Sequence, residues 1–135
     1  MPATASASAL RPHVIVDFAV DDGLLTIRLK NIGERPAYLV KTVFDKPFHG
    51  LGGTKCISEM RVFRKLDFMP PGKEFSQFVD SLATYARGKQ PMRIVATISY
   101  RDSEGSQFQD RIAHDLRVYV ELGQARVARK EPQGD

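Results

Sequence analysis

The sequence predicts an all-β fold, an antiparallel sandwich of about seven strands with one short helical turn. Three observations predict it. Apolar residues recur with a period of two in separate segments, most cleanly at Leu25, Ile27 and Leu29 and again at Ile94, Ala96 and Ile98. Turn residues such as Asp22-Gly23, Pro71-Gly72 and Ser103-Glu104-Gly105 punctuate the chain between those segments. No strand–helix–strand alternation appears, so a parallel sheet is not expected. With 135 residues, 42% hydrophobic and 27% charged, the chain suits one soluble domain. That composition excludes collagen, a coiled coil and wholesale disorder. No apolar run approaches the ~20 residues of a membrane-spanning helix. The single cysteine excludes an intrachain disulfide framework.

Residues 1–12 read as a flexible lead ending at Arg11-Pro12. His13 to Val20 alternates, with Val14, Val16, Phe18 and Val20 on one face. Asp21-Asp22-Gly23 makes a turn, and Leu24 to Lys30 is the cleanest strand. There Leu25, Ile27 and Leu29 face in, and Thr26, Arg28 and Lys30 face out. The connection Asn31 to Pro36 precedes a third strand, Ala37 to Phe44. Pro36 has no N–H for a ladder, so that strand starts after it. Leu39-Val40 and Val43-Phe44 break its alternation, which implies burial on both faces or a bulge. Asp45 to Lys55 is a long glycine-rich loop. Cys56 to Phe68 resumes strand composition until Pro70-Pro71-Gly72 breaks it. Lys73 to Val79 extends again. Phe78, Leu82 and Tyr85 then stand at helical spacing, with Ser81 as N-cap and Gly88 as the residue after the helix. Met92 to Tyr100 is a strong strand, Asp102 to Gly105 a turn, and Gln107 to Leu122 a long extended segment. Residues 13–122 thus form the sandwich, and 123–135 read as a disordered tail. The core is expected from aliphatics with Phe18, Phe44, Phe75, Phe78 and Tyr100.

The segment "LTIRLKNIGERPAYLVKTVF" (residues 25–44) carries an N-x-G-x-x-P-A connection. "DFMPPGKEF" (67–75) and "ISYRDSEGSQF" (98–108) follow it. In this order the three segments resemble the bacterial immunoglobulin-like β-sandwich domains that share that connection, over residues 14–120. The resemblance implies the fold. It also implies a role as an accessory or interaction module, often attached to membrane or cell-surface proteins.

Chemistry-bearing residues are few. Gly50-Leu51-Gly52-Gly53-Thr54-Lys55 lacks the order of a phosphate loop, and no helix follows it. His49 and Cys56, with Asp45 nearby, fall short of a clear zinc ligand set. His13 and His114 lie near Asp17, Asp110 and Asp115, but no nucleophile stands in an elbow context. Asp102, Glu104 and Asp110 offer oxygens for calcium, yet the first two are explained by a hairpin turn. Arg61, Arg64 and Lys65, and then Arg126, Arg129 and Lys130, are the densest basic groups on a chain of net charge +4, and neither carries the interleaved aromatics of a nucleic-acid platform. No catalytic, cofactor or metal residue is therefore assigned, and no nucleic-acid partner. The expected function is a non-catalytic protein–protein interaction module or accessory subunit of a larger assembly, free or membrane-associated, without a span of its own. A small-ligand or carbohydrate-binding module is the alternative. The absence of a secretory signal favours the cytoplasm. Binding is expected at the 45–55 loop, with Phe48, His49 and Leu51 as its candidate contacts. The competing reading is that Phe48 and Leu51 fold back as a lid on the core.

The face assignment is directly testable. Leu29→Ala should cost about 2–5 kcal/mol in chemical denaturation, as an inward residue. Lys30→Ala, one position along, should change stability by less than about 0.5 kcal/mol. Equal effects would mean that the register is wrong.

Overall fold

The computed structural model describes residues 10–123; residues 1–9 of the expected lead and 124–135 of the expected tail lie outside the described residues. In chain order the strands are β1 (Val14–Asp21), β2 (Leu24–Asn31), β3 (Ala37–Phe44), β4 (His49–Gly50), β5 (Lys55–Cys56), β6 (Leu66–Met69), β7 (Glu74–Ser81), β8 (Arg93–Arg101) and β9 (Gln107–Asp115). Three short helices, α1 (Arg61–Arg64), α2 (Leu82–Arg87) and α3 (Arg117–Glu121), and a 3-10 turn at Ile57–Glu59 sit between or after them. One sheet has the order β1-β2-β7, the other β6-β3-β8-β9, and β4 and β5 form a two-residue hairpin. Every pairing is antiparallel. The fold is the expected all-β sandwich.

The inward faces are the ones that alternation predicts. Val14, Val16 and Phe18 of β1, Leu25, Ile27 and Leu29 of β2, and Ile94, Ala96, Ile98 and Tyr100 of β8 are all buried. Asp22 and Gly23 join β1 to β2 with φ of 55° and 77°. Two positive φ values in a two-residue loop make the turn whose twist matches its strands, and glycine accepts it without steric cost.

Asn31 ties the two sheets together. It is fully buried, and its amide is fully bonded. Oδ1 accepts from the His13 N–H at 3.1 Å and the Gly33 N–H at 2.9 Å. Nδ2 donates to the Arg35 carbonyl at 2.9 Å and the Met69 carbonyl at 3.0 Å. Its backbone N–H donates to Lys73 and its carbonyl accepts from Gly72. Gly33 leaves no room for a side chain, because a Cβ there would lie 2.3 Å from the Arg11 carbonyl oxygen. The N-x-G-x-x-P-A connection is thus a packed joint between the start of β1 and the ends of β2 and β6.

The anticipated irregularity of β3 is a bulge. Pairing with β8 runs Tyr38↔Arg101 and then Lys41↔Ser99, so β3 carries one extra residue. Leu39 takes up the slack at φ 52° and is half exposed. The bulge reverses the phase: Val40 and Thr42 face the core, whereas Lys41 and Val43 face out.

The structure corrects several expectations. Residues 56–68 are mostly a 3-10 turn and α1, with β6 only at the end. Ile57, Met60 and Phe63 recur every three residues, and that helical face packs on the core. The last strand ends at Asp115, and residues 117–121 are α3. There the Asp115 carboxylate accepts from the Arg117 N–H and guanidinium, which turns the chain out of the ladder. Phe78 belongs to β7 and is 40% exposed, so it leaves the expected core set. Ser81 caps α2 as expected, accepting from the Thr84 N–H at 3.1 Å. Gly88 does not take the left-handed conformation; Lys89 does, at φ 60°. Lys89 and Gln90 then donate to the Ala86 and Tyr85 carbonyls, the double closure of a Schellman turn.

At the edge of the first sheet, His114 Nε2 lies 2.9 Å from the Val16 carbonyl. A carbonyl only accepts, so the proton is on Nε2. Tyr119 Oη donates to the Phe18 carbonyl at 3.2 Å. Arg11, the penultimate residue of the expected lead, lies 4.6 Å over the Phe108 ring and donates to Tyr100 Oη at 3.2 Å.

Asn31→Ala should cost about 3–5 kcal/mol in a urea melt, because it leaves buried backbone groups unpaired. Glu34→Ala, on the exposed side of the same connection, should stay within about 0.5 kcal/mol. A small Asn31 effect would show that backbone bonds alone hold the joint.

Candidate functional site

The expected binding loop is docked, not free. The Leu51 N–H donates to the Val79 carbonyl at 2.8 Å, and the Gly52 N–H to Asp80 Oδ2 at 2.9 Å. Gly50 presses so closely on β7 that a Cβ would lie 2.1 Å from the Val79 carbonyl oxygen. Phe48, expected to be partly exposed, is fully buried. Its ring centroid lies 5.1 Å from Phe44 and 6.0 Å from Phe18. For Phe48 the lid reading is therefore the one realised, because its ring closes one end of the core. His49 is half-buried, and its N–H donates to Gln90 Oε1 at 2.9 Å. Leu51 remains 42% exposed at the hairpin tip.

The other candidates separate. His49 and Cys56 are direct partners across the β4–β5 hairpin, but the thiol's hydrogen-bond contact is with Ser58 Oγ, at 3.5 Å. Among the described residues, no three His, Cys, Asp or Glu side chains gather as a metal set. Asp102 Oδ1 accepts from the Glu104 and Ser106 N–H groups at 2.9 Å, the turn arrangement anticipated for this hairpin. Asp110 points instead to the Arg11 clip: it accepts from Tyr100 Oη and lies 3.7 Å from Arg11 and 3.9 Å from His13. Burial, then the bond to Asp110, raises the Tyr100 phenol well above its ordinary range. Burial does the same to Tyr85, whose hydroxyl donates to the Pro91 carbonyl at 2.6 Å. Both phenols serve as fixed donors at neutral pH.

The outer face of the four-stranded sheet is the feature that sequence reading missed. Three rows cross it: Phe68–Tyr38–Arg101–Gln107, Lys41–Ser99–Gln109, and Val43–Thr97–Arg111. Leu39 at 50%, Val43 at 53% and Phe68 at 48% exposure make an apolar side to this face. The Tyr38 and Phe68 rings pair at 5.3 Å. Lys41, Arg101 and Arg111 stand beside them, and none forms an ion pair with another described residue. The outward positions of β3, β8 and β9 carry one carboxylate, Asp115. Arg117 binds it at 2.6 Å and holds it down at about 2, so it does not neutralise the distant cations. A shallow groove of about 320 Å³ runs between Leu39, Lys41, Ser99, Arg101, Gln107 and Gln109. The opposite sheet differs, since its outward Arg28 and Lys30 both lie 3.7 Å from Glu74. The signal in the sequence was the adjacent pair Leu39-Val40, but only the bulge says which of the two faces out.

A family described as Domain of unknown function (DUF8453) matches residues 3–120. No curated protein and no solved structure matches the chain. No helix among the described residues is long and apolar enough to cross a membrane.

Phe48→Ala should cost about 3–5 kcal/mol, because it empties a buried ring site. Leu51→Ala should cost under about 1 kcal/mol. Thermal melts of the two single variants check this. A Phe48 variant as stable as wild type would mean that the loop does not close the core.

Proposed function

We propose that this chain, which belongs to the family described as Domain of unknown function (DUF8453), is a non-catalytic interaction module. It presents the outer face of its four-stranded sheet to another protein, as an accessory subunit of a larger assembly. The observation that carries this reading is the exposed group Leu39, Val43 and Phe68 on the flat of a sheet. Large apolar side chains clustered at the surface and rimmed by polar groups mark interaction sites, whereas single ones do not. Backbone geometry supports the same reading. The bulge spends the unfavourable φ of Leu39 to aim Leu39, Lys41 and Val43 outward. The immunoglobulin-like character inferred from the N-x-G-x-x-P-A connection belongs to this proposal too. The burial of Phe48 moves the proposed contact away from the 45–55 loop.

The test is affinity capture with mass spectrometry, run in parallel on wild type, Val43→Asp and Leu51→Asp. Both variants alter exposed residues and should stay within about 1 kcal/mol of wild type. Partners enriched by wild type and Leu51→Asp but lost with Val43→Asp are the expected outcome. Partners retained by Val43→Asp overturn the sheet-face reading, and their loss with Leu51→Asp alone returns the contact to the loop.

A further inference from the structure

We infer that the outer face of the four-stranded sheet takes an acidic, extended polypeptide segment, with carboxylates among Lys41, Arg101 and Arg111 and aliphatic side chains over Leu39 and Val43. This rests on the sheet-face reading and deepens it by naming the partner's chemistry.

Charge is the first argument. Three cations project from neighbouring strands with no described anion to balance them. By register, Lys41 lies opposite Ser99, and Arg111 opposite Thr97, with Arg101 two residues beyond Ser99 on β8. At about 3.3 Å per residue and 4.8 Å per strand, their Cα atoms lie roughly 8–14 Å apart. Lys41 and Arg101 line one groove with Ser99 and Gln109, Arg111 stands one row along beside Thr97, and ligand carboxylates set among them relieve the repulsion between the cations. Asp67 on β6 shares an open groove with Glu59 but also with Arg61, Arg64 and Lys65. On the other side, the Asp102 carboxylate is turned into its own hairpin.

The mixture of chemistries favours a polypeptide over a nucleic acid. A nucleic-acid strand would stack its bases on aromatic faces. Here Tyr38 and Phe68 pack against each other, Tyr100 and Phe108 stack together with Arg11 over the Phe108 ring, and the exposed apolar side chains that remain, Leu39 and Val43, are aliphatic. Acidic side chains alternating with aliphatic ones match cations interleaved with Leu39 and Val43. Gln107 and Gln109 line the same groove, with amides able both to donate to and to accept from a peptide backbone.

The probe is a fluorescent peptide of alternating Glu and Val, about as long as β8, titrated into the full chain. A Lys-for-Glu peptide and a single-stranded oligothymidylate of equal charge run alongside. The Glu peptide should bind, weaken as salt rises, and shift backbone NMR signals on β3, β8 and β9. The triple reversal Lys41→Glu, Arg101→Glu, Arg111→Glu should lower its affinity at least about tenfold and confer binding of the Lys peptide. If that variant does not fold, Lys41→Ser and Arg111→Ser singly should each weaken binding several-fold. Tighter binding of oligothymidylate, shifts elsewhere, no binding, or binding that survives reversal each overturns the inference. Partner capture still lost with Val43→Asp would then leave the sheet-face reading standing, whereas capture indifferent to Val43→Asp removes that reading first.

Discussion

The buried amide of Asn31 is the constraint on which the rest of the sandwich depends. A primary amide has two donor hydrogens and an oxygen with two lone pairs, and leaving part of it unmade inside a protein costs about 1–3 kcal/mol per group. Here its two donor bonds and two acceptor bonds are all made, to backbone from the residue that leads into the first strand, the connecting loop and the short edge strand of the other sheet. Those partners lie far apart in sequence, so satisfying one residue fixes three chain segments at once. No other side chain of similar size carries this pattern: aspartate lacks the donors and leucine lacks both. Gly33 and Pro36 follow from the same joint. The glycine admits the backbone of Arg11, and the proline stands just before the next strand, where no ladder donor is needed.

That joint also sets where the third strand enters its sheet, and the bulge two residues later sets what it shows. In an unbroken strand from Ala37, period two would turn Leu39, Lys41 and Val43 inward and leave Val40, Thr42 and Phe44 in solvent. One left-handed residue exchanges the two sets. A strained backbone angle therefore keeps Lys41 out of the core while displaying Leu39 and Val43 on the same face as Phe68. Packing and the make-up of the proposed contact face share a single local cause.

What was legible in the sequence was what is decided locally. Asp22-Gly23, Pro71-Gly72 and Asp102 to Gly105 encode their turns by residue type, and Leu25, Ile27 and Leu29 encode their face by spacing. What was not legible depends on distant neighbours. Ile57, Met60 and Phe63 are as compatible with strand composition as with a helix, and only the core they cover selects the latter. Leu116, Val118 and Val120 alternate like a strand, yet Asp115 and Arg117 close a turn between them. Phe48 sits in a glycine-rich stretch with no period, and its fate was decided by Phe18 and Phe44, residues 30 and 4 positions away. The basic face was hidden for a further reason. Lys41, Arg101 and Arg111 are scattered along the chain and become one patch only through strand pairing.

The bonds from His114 and Tyr119 to the first strand have a consequence for self-assembly. In an antiparallel ladder alternate residues aim their carbonyls outward, and an arriving strand needs those acceptors to dock. The Val16 and Phe18 acceptors are already occupied by side chains of the same molecule. This border cannot template another chain until both rings are displaced, which blocks the route by which exposed strand borders nucleate cross-β fibrils. Removing the two rings, a change remote from the outer face of the four-stranded sheet, would convert a quiet border into an adhesive one.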